Sequence, residues 1–371
     1  MKKILYVATV VKTHIMEFHI PYLQMLKEEG WHTEVAAKND YDNPSDCVIP
    51  YCDEYYDVPF GRNPFKPSNL KAYKELKKII NEGKYDIVHC HTPVGAMLAR
   101  LASKKARKNG TKVIYTAHGF HFFKGAPLLN WLVYYPVEKF LSRFTDVLVT
   151  INKEDYERAK EKFHAQKVEY IPGIGVNINK FSRETCGREE KRKELGIPED
   201  VKVLLSVGEL NQNKNQRIVI EALPQFKDCV YVICGSGPLM DEYRQRADEL
   251  GVSDRLMLAG YRTDVAEFYH MADVFVFPSF REGLPVAVME AMAAGLPVVA
   301  ARNRGTNDLL EESNLRFDAD NEDELKEKLE IALNENCTDE VEHNSAVLQE
   351  FSLVNTRKRM KEIYDACLRG C

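Results

Sequence analysis

The sequence predicts two doubly wound α/β domains, each built on a parallel sheet. Short runs of β-branched residues alternate with amphipathic stretches of helical length, and this alternation occurs twice along the 371 residues. Residues 171–177 (IPGIGVN) lie between the two alternations and concentrate glycine and proline, as a linker does. Length and a 44% content of hydrophobic residues suffice for two cores. We therefore predict domains at 1–172 and 173–352, with ligands in a cleft between them, beyond the carboxyl ends of the strands.

The first domain is predicted to contain strands separated by amphipathic helices. Strands are expected at residues 3–9, 32–36, 87–91, 112–117, 147–151 and 168–171. Helices are expected at residues 21–29, 69–81, 95–108 and 153–163. Glycines follow the first three helices, and Asn152 is a suitable N-cap for the fourth.

The second domain repeats this pattern. Strands are expected at residues 202–207, 230–234, 256–259, 274–278 and 297–300. After Asn321 the chain becomes acidic and helical, and it ends in a helical stretch at 352–368.

Composition excludes several classes of protein. The chain has no low-complexity tract, so neither disorder nor a fibrous repeat is supported. The first apolar run breaks at Lys12 and His14 without a small-residue cleavage site, which favours a strand over a signal peptide. The most apolar stretch, 286–301, is shorter than the ~20 residues that a membrane-spanning helix needs. Nine scattered cysteines without a CxxC pair support neither a structural zinc site nor a disulfide framework, and they indicate a reducing cytoplasm.

The two halves of the chain differ in charge. Residues 1–180 hold 27 Lys and Arg against 20 Asp and Glu, a net of +7, whereas residues 181–371 hold 24 against 36, a net of −12. A basic first half suits anionic lipid or a diphosphate-bearing acceptor. An incidental difference between two solvated surfaces explains the numbers equally well. We expect no nucleic-acid partner.

The segment 277–300 (FPSFREGLPVAVMEAMAAGLPVVA) carries the most chemical information. A buried strand is predicted to end at Pro278, and an exposed loop then holds Glu282 and Gly283. Pro285 is expected in the first turn of the next helix, where its missing N–H costs nothing. The N–H groups and the positive dipole end of such a helix bind phosphate, and Gly283 lets the backbone approach it closely.

The two glutamates of this segment need different partners. Glu290 is predicted to lie about one and a half helical turns inside the helix, among Ala, Val and Met. Its carboxylate therefore needs donors, and ribose hydroxyls are suitable. The alternative is that Glu290 pairs locally and Glu282 is an ordinary loop acid.

This segment resembles the E-x7-E motif of the retaining glycosyltransferases of family four, which share the two-domain GT-B fold. Residues 207–215 (VGELNQNKN) resemble the donor-phosphate loop of that family, 234–238 (CGSGP) its next Gly-rich turn, and 116–119 (TAHG) its N-domain catalytic loop. The resemblance covers essentially the whole chain, with the motifs in the expected order. Residues 10–21 (VVKTHIMEFHIP) resemble the bacterial capsular and exopolysaccharide branch.

The resemblance implies catalytic roles for three residues. Lys214 is expected to contact the donor diphosphate and to neutralise charge that grows as the nucleotide departs; a solvated loop lysine is the alternative. Glu282 is expected to hold sugar hydroxyls. His118, after the strand at 112–117, is expected to contact the donor sugar, and a satisfied structural histidine is the alternative.

The resemblance also implies a wider set of substrate contacts. The ribose is assigned to Glu290, the distal phosphate to the backbone of Gly283 and Leu284, and the uracil-binding loop to Tyr261 and Arg262. The remaining expected contacts are Lys12, His91, Gly208, Asn213, Gly235, Gly237 and Pro285.

No metal is expected, and no cofactor besides the nucleotide-sugar donor. His89 and His91 would lie on one face of a strand, as a metal pair does, but the sequence offers no evident third ligand and the family needs no bound metal. We expect His91 to line the cleft and His89 to pack inside the domain.

Two departures from the family pattern concern phosphate binding. Glu209 stands where many relatives have arginine, so Lys214 would act without that partner, and Arg302 or Arg304 would replace its charge. The first βα loop reads VKTH at 11–14 where many relatives have Gly-Gly, which leaves the acceptor and phosphate contacts of that loop open.

Residues 120–136 (FHFFKGAPLLNWLVYYP) are unusually aromatic and follow a run of five lysines and arginines between 104 and 112. This composition suits docking to an anionic bilayer that holds a lipid-linked acceptor. Packing in the core of the first domain is the alternative.

We therefore expect a cytoplasmic, retaining, metal-independent glycosyltransferase that acts at the inner face of the cell membrane. It would move a hexose or N-acetylhexosamine from a UDP-sugar to a glycan acceptor on polyprenyl diphosphate, in cell-surface polysaccharide synthesis. A nucleotide-sugar epimerase and a non-catalytic nucleotide-sugar-binding protein are the alternatives. An NAD oxidoreductase is disfavoured because no GxGxxG follows the first strand. By the same resemblance, the terminal helix at 353–371 is expected to pack back on the first domain.

Overall fold

A computed structural model describes residues 1–182 and 187–369. It divides into two compact units. The first unit comprises Met1–Ile174 and Thr356–Cys371, and the second comprises Gly175–Asn355. Cys186 and Cys371 lie outside the described residues, and the other seven cysteines are free thiols.

The first unit contains, within its described residues, a parallel sheet of seven strands. The strands are β1 (Lys3–Val10), β2 (His32–Lys38), β3 (Glu54–Asp57), β4 (Ile87–Cys90), β5 (Lys112–Ala117), β6 (Val147–Thr150) and β7 (Lys167–Tyr170). Their order across the sheet is β3-β2-β1-β4-β5-β6-β7. Every strand predicted for this unit is present. The prediction lacked β3, because its sequence EYYD contains no β-branched residue and its residues are only partly buried.

Helices connect these strands. They are α1 (Ile20–Glu28), α2 (Ser68–Gly83), α3 (Pro93–Ala102), α4 (Lys104–Lys108), α5 (Leu128–Leu141) and α6 (Lys153–Lys162). A π-helical turn, Val11–Met16, lies between β1 and α1. The single helix predicted at 95–108 is wrong, since Ser103 separates α3 from α4. The Ser103 hydroxyl donates to the carbonyl of Ala99 at 2.7 Å, a local bond of the kind that bends or interrupts helices.

The side chains of β1 alternate between two hydrophobic cores of the first unit. Leu5 and Val7 belong to one core, and Ile4 and Tyr6 belong to the other. Both faces of the sheet are therefore covered, as parallel sheets require.

The second unit contains, within its described residues, a parallel sheet of six strands. The strands are β8 (Lys202–Val207), β9 (Cys229–Cys234), β10 (Leu256–Gly260), β11 (Val274–Phe277), β12 (Val298–Ala301) and β13 (Arg316–Phe317). Their order is β10-β9-β8-β11-β12-β13. Every predicted strand is present, and only β13 was missed, because two residues are too few to show a period.

The helices of the second unit follow in chain order. They are α7 (Ile178–Phe181), α8 (Arg188–Glu194), α9 (Arg217–Ala222), α10 (Met240–Leu250), α11 (Val265–Met271), α12 (Val286–Ala293), α13 (Arg304–Leu310), α14 (Glu322–Asn334) and α15 (Thr338–Leu348).

The last helix, α16 (Leu353–Arg369), packs on the first unit over most of its length. Met360 and Tyr364 join the core that contains Tyr6. The hydroxyl groups of Tyr6 and Tyr364 form a hydrogen bond of 2.6 Å. Residues 370 and 371, which the sequence places in this helix, lie outside the described residues.

Candidate active site

The turn that precedes α12 lies in the second unit, at the carboxyl end of β11. Pro285 is the N-cap residue, with φ −82° and ψ 109°, and the helix begins at Val286. The expectation that Pro285 occupies the first helical turn is wrong by one residue, because its extended ψ keeps it outside the helix. Proline offers no side-chain acceptor to the first N–H groups of the helix. Leu284 is buried, so its side chain is not available to a ligand here.

An ion pair joins the loops after β8 and β11. Lys214 Nζ lies 2.8 Å from Glu282 Oε1, and both side chains are largely shielded from solvent. The Lys214 backbone N–H donates to Asn211 Oδ1 at 3.0 Å, which fixes the start of the side chain. The Lys214 ammonium group also lies 5.1 Å from the ring centre of Phe277. Both charged residues were predicted at the site from the sequence, but the ion pair between them was not predicted.

Asn213 ties these two loops together. Its backbone carbonyl accepts from the Phe280 N–H at 2.9 Å, and its side-chain amide donates to the Arg281 carbonyl at 3.0 Å. Its side-chain oxygen accepts from Arg281 Nε at 3.2 Å. Asn213 thus positions the neighbouring Lys214 against Glu282.

Arg302 and Arg304, the candidates to replace the arginine that many relatives have at the position of Glu209, differ in their contacts. Arg302 pairs with Asp318 and Glu324 at 2.8 Å each. It is therefore engaged in a structural network. Arg304 Nε donates to the Glu282 carbonyl at 3.1 Å, so Arg304 is the one that contacts the loop of interest. Glu209 is exposed and accepts from the amide of Asn211 at 2.9 Å.

Glycines let the turns after β8 and β9 pack backbone against backbone. Gly208 and Gly235 both have φ of +153°. A Cβ on Gly235 would lie 1.9 Å from the Gly208 carbonyl oxygen. A Cβ on Gly237 would lie 2.4 Å from the Leu210 carbonyl oxygen. The turn CGSGP therefore requires glycine for the close approach of these two loops, whatever ligand it meets.

Glu290 lies half-buried on α12 beside a tyrosine that the sequence analysis missed. The Tyr269 hydroxyl donates to Glu290 Oε2 at 2.9 Å and lies 3.1 Å from the Ala287 carbonyl. Burial, together with the adjacent Glu290 carboxylate, raises the pKa of Tyr269 well above its usual value. Tyr269 therefore stays protonated and anchors one carboxylate oxygen. The signal available in the sequence was the position of Tyr269 on an apolar helix directly before β11.

Tyr261 and Arg262, which follow β10, differ in their freedom to bind a ligand. Tyr261 is 72% exposed. Arg262 forms two hydrogen bonds to Asp264, at 2.8 and 2.6 Å, and these lower the pKa of the Asp264 carboxyl. Arg262 is thus committed to Asp264, whereas the Tyr261 ring is accessible for stacking.

Four histidines converge in the first unit. His14 lies in the π-helical turn Val11–Met16, His19 precedes α1, His91 follows β4 and His118 follows β5. His14 Nε2 and His19 Nε2 are 3.2 Å apart, and His91 Nδ1 and His118 Nε2 are 3.3 Å apart. We call these four residues the histidine cluster. The sequence analysis singled out His91 and His118 but did not join them to His14 and His19.

Burial determines the charge of the histidine cluster. It lowers the pKa of His14 to about 3 and that of His118 to about 4. Burial and the neighbouring imidazoles hold the pKa of His19 and of His91 well below the usual value. The four rings are therefore neutral near pH 7.

His89 and His91 are both fully buried within the first unit. His89 Nδ1 is 2.7 Å from the Tyr364 hydroxyl, and His89 Nε2 is 2.8 Å from Thr116 Oγ1. His91 is only 1% exposed. The other imidazoles and Tyr6, whose ring stacks on His91 at 5.5 Å, enclose the His91 ring.

A groove of about 740 Å³ opens beside the histidine cluster in the first unit. His14 and Arg62 contribute polar groups to its wall. Its apolar lining includes Phe65, Met97, Val133, Tyr134 and Val137. Lys12 instead points to a neighbouring loop, where its Nζ lies 3.8 Å from Asp42. Arg62 and Phe65 were not predicted from the sequence, because they lie in a connection without a recognised motif.

Helix α5 presents apolar side chains to solvent. Leu128, Leu129 and Leu132 are 73%, 68% and 66% exposed, and Phe140 is 51% exposed. Preceding residues of the same aromatic segment behave differently, since Phe120 and Phe122 are buried in the core. The packing interpretation therefore holds for the start of the segment, whereas α5 leaves several large apolar side chains exposed.

Comparison with known proteins agrees with the geometry of both units. The two units, each with a doubly wound parallel sheet, have the GT-B fold found in glycosyltransferases of known structure. The family model "Glycosyl transferase 4-like" matches residues 3–152, and "Glycosyl transferases group 1" matches residues 187–346. The chain belongs to this glycosyltransferase family and is a glycosyltransferase.

Individual relatives support the assignment. The "Putative glycosyltransferase EpsD" of Bacillus subtilis (strain 168) is 45% identical over 322 residues, which cover 85% of this chain and 83% of that protein. The UDP-Gal:alpha-D-GlcNAc-diphosphoundecaprenol alpha-1,3-galactosyltransferase of Escherichia coli is 33% identical over 252 residues, which cover 65% of this chain and 64% of that enzyme. The crystal structure of Anabaena Alr3699/HepE in complex with UDP and glucose superposes with a TM-score of 0.82 at 18% identity, covering 98% of this chain and 100% of that one, and it shows the shared fold.

None of the helices among the described residues has the length and hydropathy that crossing a bilayer requires.

Proposed function

We propose that this glycosyltransferase transfers a hexose or N-acetylhexosamine from a UDP-sugar to a lipid-linked glycan, with retention of anomeric configuration and without a metal cofactor, in cell-surface polysaccharide synthesis. The observation that carries the proposal is the Lys214–Glu282 ion pair beside the start of α12. A donor diphosphate at this helix start would compete with Glu282 for Lys214. Glu282 would then accept from the hydroxyls of the sugar that the diphosphate carries.

The charge of the departing nucleotide explains why a lysine is needed there. As the bond between sugar and diphosphate breaks, negative charge accumulates on the phosphate oxygens. Lys214 and the N–H groups at the start of α12 would stabilise that charge in place of a divalent ion. Arg304, the first residue of α13, contacts the carbonyl of Glu282 and adds a second cation beside that loop.

The nucleoside would occupy the part of the second unit around Glu290. Tyr269 anchors one carboxylate oxygen of Glu290, which orients that carboxylate toward ribose hydroxyls. The exposed ring of Tyr261 is suited to stacking on the base. The name of the Escherichia coli relative specifies UDP-Gal as donor, which supports a uridine nucleotide.

The acceptor is proposed to bind in the groove of the first unit. An apolar wall suits a lipid chain, and Arg62 and His14 at the same groove suit a diphosphate and a sugar. The exposed leucines of α5 would enter the membrane interface from which such a lipid comes. The acceptor in the name of the Escherichia coli relative is a diphosphoundecaprenol-linked sugar. His118 is proposed to contact the transferred sugar, and retention is proposed from the resemblance to retaining enzymes with the E-x7-E motif.

A donor and acceptor panel tests the proposal. The full chain is incubated in EDTA with UDP-glucose, UDP-galactose, UDP-GlcNAc and UDP-GalNAc, and with a polyprenyl-diphosphate-linked monosaccharide in detergent. We expect one UDP-sugar to give a disaccharide product whose new bond is α by NMR. GDP- and ADP-sugars serve as controls for the base.

The same panel separates the alternatives. An epimerised free nucleotide sugar without acceptor consumption would indicate an epimerase. Binding of a UDP-sugar without release of UDP, even by slow hydrolysis, would indicate a non-catalytic binder. A requirement for added Mg²⁺ or Mn²⁺ would contradict metal independence.

A further inference from the structure

The histidine cluster is built from the segments that follow three strands of the first unit, β1, β4 and β5. Each of His14, His19, His91 and His118 offers one nitrogen, and these four atoms lie within 4.8 Å of one another. Four neutral imidazoles around one point are a ligand set for Zn²⁺ and related divalent transition metals.

The spacing of the nitrogen atoms suits coordination. Zinc–nitrogen distances of about 2.0–2.1 Å in a tetrahedron place the nitrogens about 3.4 Å apart. The His14–His19 and His91–His118 pairs, at 3.2 and 3.3 Å, are already at that spacing. The other distances among the four ligand atoms are at most 4.8 Å, so side-chain rotations would bring the two pairs onto one ion.

His91 has one nitrogen near another imidazole and one without a partner in the described part of the chain: Nδ1 lies 3.3 Å from His118 Nε2, and Nε2 is the other ring nitrogen. His91 Nε2 is buried and has no hydrogen-bond partner among residues 1–182 and 187–369. Buried polar atoms of native proteins are almost always paired. A small cavity of about 10 Å³, which His19, His91 and His118 help to line, adjoins the cluster.

The backbone is irregular at two of the four histidines. A residue and the fifth one after it lie on different sides of a regular α-helix, but the π-helical turn Val11–Met16 brings His14 beside His19. His91 is followed by Thr92, whose φ of +62° is unusual for a residue with a branched side chain. Irregular backbone of this kind is concentrated at functional sites.

Nearby titratable groups are already committed elsewhere. Both ring nitrogens of His89 have partners, so His89 supports the cluster from outside. A second group of His32, Glu34 and Glu54 also has metal-ligand spacing, but Glu34 pairs with Lys3 at 2.7 Å and accepts from Tyr56 at 3.1 Å. That group is an ion-paired network and serves as a comparison.

We propose that His14, His19, His91 and His118 form a binding site for a divalent transition-metal ion, with Zn²⁺ as the expected ion. The site goes beyond the proposed transfer reaction, which needs no metal. One consequence rests on the proposed function: a metal on His118 withdraws that ring from the sugar, so Zn²⁺ inhibits transfer and EDTA restores it.

Cobalt provides a spectroscopic test on the full chain. Protein stripped with EDTA is titrated with Co²⁺ and then with Zn²⁺. We expect one equivalent of Co²⁺ with the intense visible absorption of a tetrahedral site and no thiolate-to-cobalt charge-transfer band, followed by displacement with Zn²⁺. A charge-transfer band would assign the metal to cysteine and overturn the proposal, as would failure to bind a stoichiometric ion.

Variants connect the metal to the cluster. His14→Asn, at the partly exposed rim, and His91→Asn, in the interior, should each weaken Co²⁺ binding about 10-fold or more, since even loss of outer partners of a metal site costs about that much. His32→Asn, in the ion-paired network, should bind as the unmodified protein does. Circular dichroism establishes that each variant is folded, and His14→Asn keeps the test decisive if His91→Asn does not fold. Equal binding in folded His14→Asn would overturn the site. Stoichiometric binding without inhibition of transfer would leave the metal site standing and refute the role of His118.

Discussion

Lys214 Nζ lies 2.8 Å from Glu282 Oε1, although 68 residues separate the two in the chain. The pair forms where β8 and β11, neighbouring strands of one sheet, end at the same edge. Asn213 holds the two loops together through the backbone of Phe280 and Arg281. The positions of both charges therefore depend on backbone contacts, and a substitution of either charge should alter chemistry more than folding.

Removal of the Lys214 ammonium group should greatly slow transfer. Lys214→Ala is expected to lower kcat by about 10²–10³-fold, the range found when one group that stabilises developing charge is lost. Initial rates of UDP release in the presence of acceptor measure the effect. Lys227→Ala, an exposed lysine of the same unit, is the control and should transfer normally. A normal rate in folded Lys214→Ala would contradict the proposed donor site.

Removal of the Glu282 charge should slow transfer even when Lys214 is unchanged. Glu282→Gln keeps the size of the side chain but removes the charge that pairs with Lys214 and accepts from sugar hydroxyls. We expect a strong loss of transfer, with UDP itself bound as tightly as before or more tightly, because Lys214 loses its competing anion. Calorimetric titration with UDP, alongside transfer assays, measures both. Weaker UDP binding combined with normal transfer would refute this arrangement.

Glu290 should act on donor affinity more than on turnover. Glu290→Gln retains a partner for Tyr269 but weakens acceptance from ribose hydroxyls, so KM for the donor should rise with little change in kcat. Tyr269→Phe should cause a smaller rise, because it removes only the anchor. Tyr243→Phe, which removes a buried hydroxyl bonded to Gln216 in the same unit, is the matched control. A fall in kcat without a change in KM would contradict the assignment of Glu290 to the ribose and would indicate that it acts at the reacting bond.

The sequence predicted most strands because parallel strands buried on both faces form apolar, often β-branched runs. It missed β3 and β13, which lie at the edges of their sheets and lack such a run. It also predicted one helix in place of α3 and α4. The hydrophobic pattern continues through Ser103, but the hydrogen bond of the Ser103 hydroxyl interrupts the helix there. Local hydrogen bonds of one side chain are invisible to periodicity.

Sequence motifs likewise identified only some residues of the candidate site. Motifs placed Lys214, Glu282 and Glu290 on loops and a helix, since these lie close together in the sequence or in recognisable turns. The partner of Glu290, Tyr269, lies on another helix without a motif of its own. The histidine cluster was missed because its members come from three segments, and only the order of strands β1, β4 and β5 brings those segments together.

The exposed face of α5 should bind anionic membranes. Vesicles with phosphatidylglycerol should pellet the full chain, and less of it at high salt, because the basic residues near α5 are then screened. Leu128→Gln with Leu132→Gln should reduce pelleting without lowering Tm, since both side chains are mostly exposed. Val354→Gln, 76% exposed on α16, is the control and should pellet normally. Equal pelleting of the double variant would reject α5 as the contact.

The histidine cluster should make the chain less stable as pH falls below the ordinary histidine pKa of about 6.5. Burial lowers the pKa of His14 to about 3 and that of His118 to about 4, whereas the unfolded chain regains ordinary values. Between pH 6.5 and pH 4 the unfolded state therefore binds more protons than the folded state, and stability rises with pH across this window. In EDTA, which removes any bound metal, Tm should be constant above pH 7 and should fall from pH 6.5 to pH 5. His14→Asn removes one group that resists protonation, so its Tm should fall less over the same interval. A Tm independent of pH from 7 to 5 would show that the cluster accepts protons freely in the folded chain, and an equal slope in His14→Asn would show that His14 does not contribute to the pH dependence.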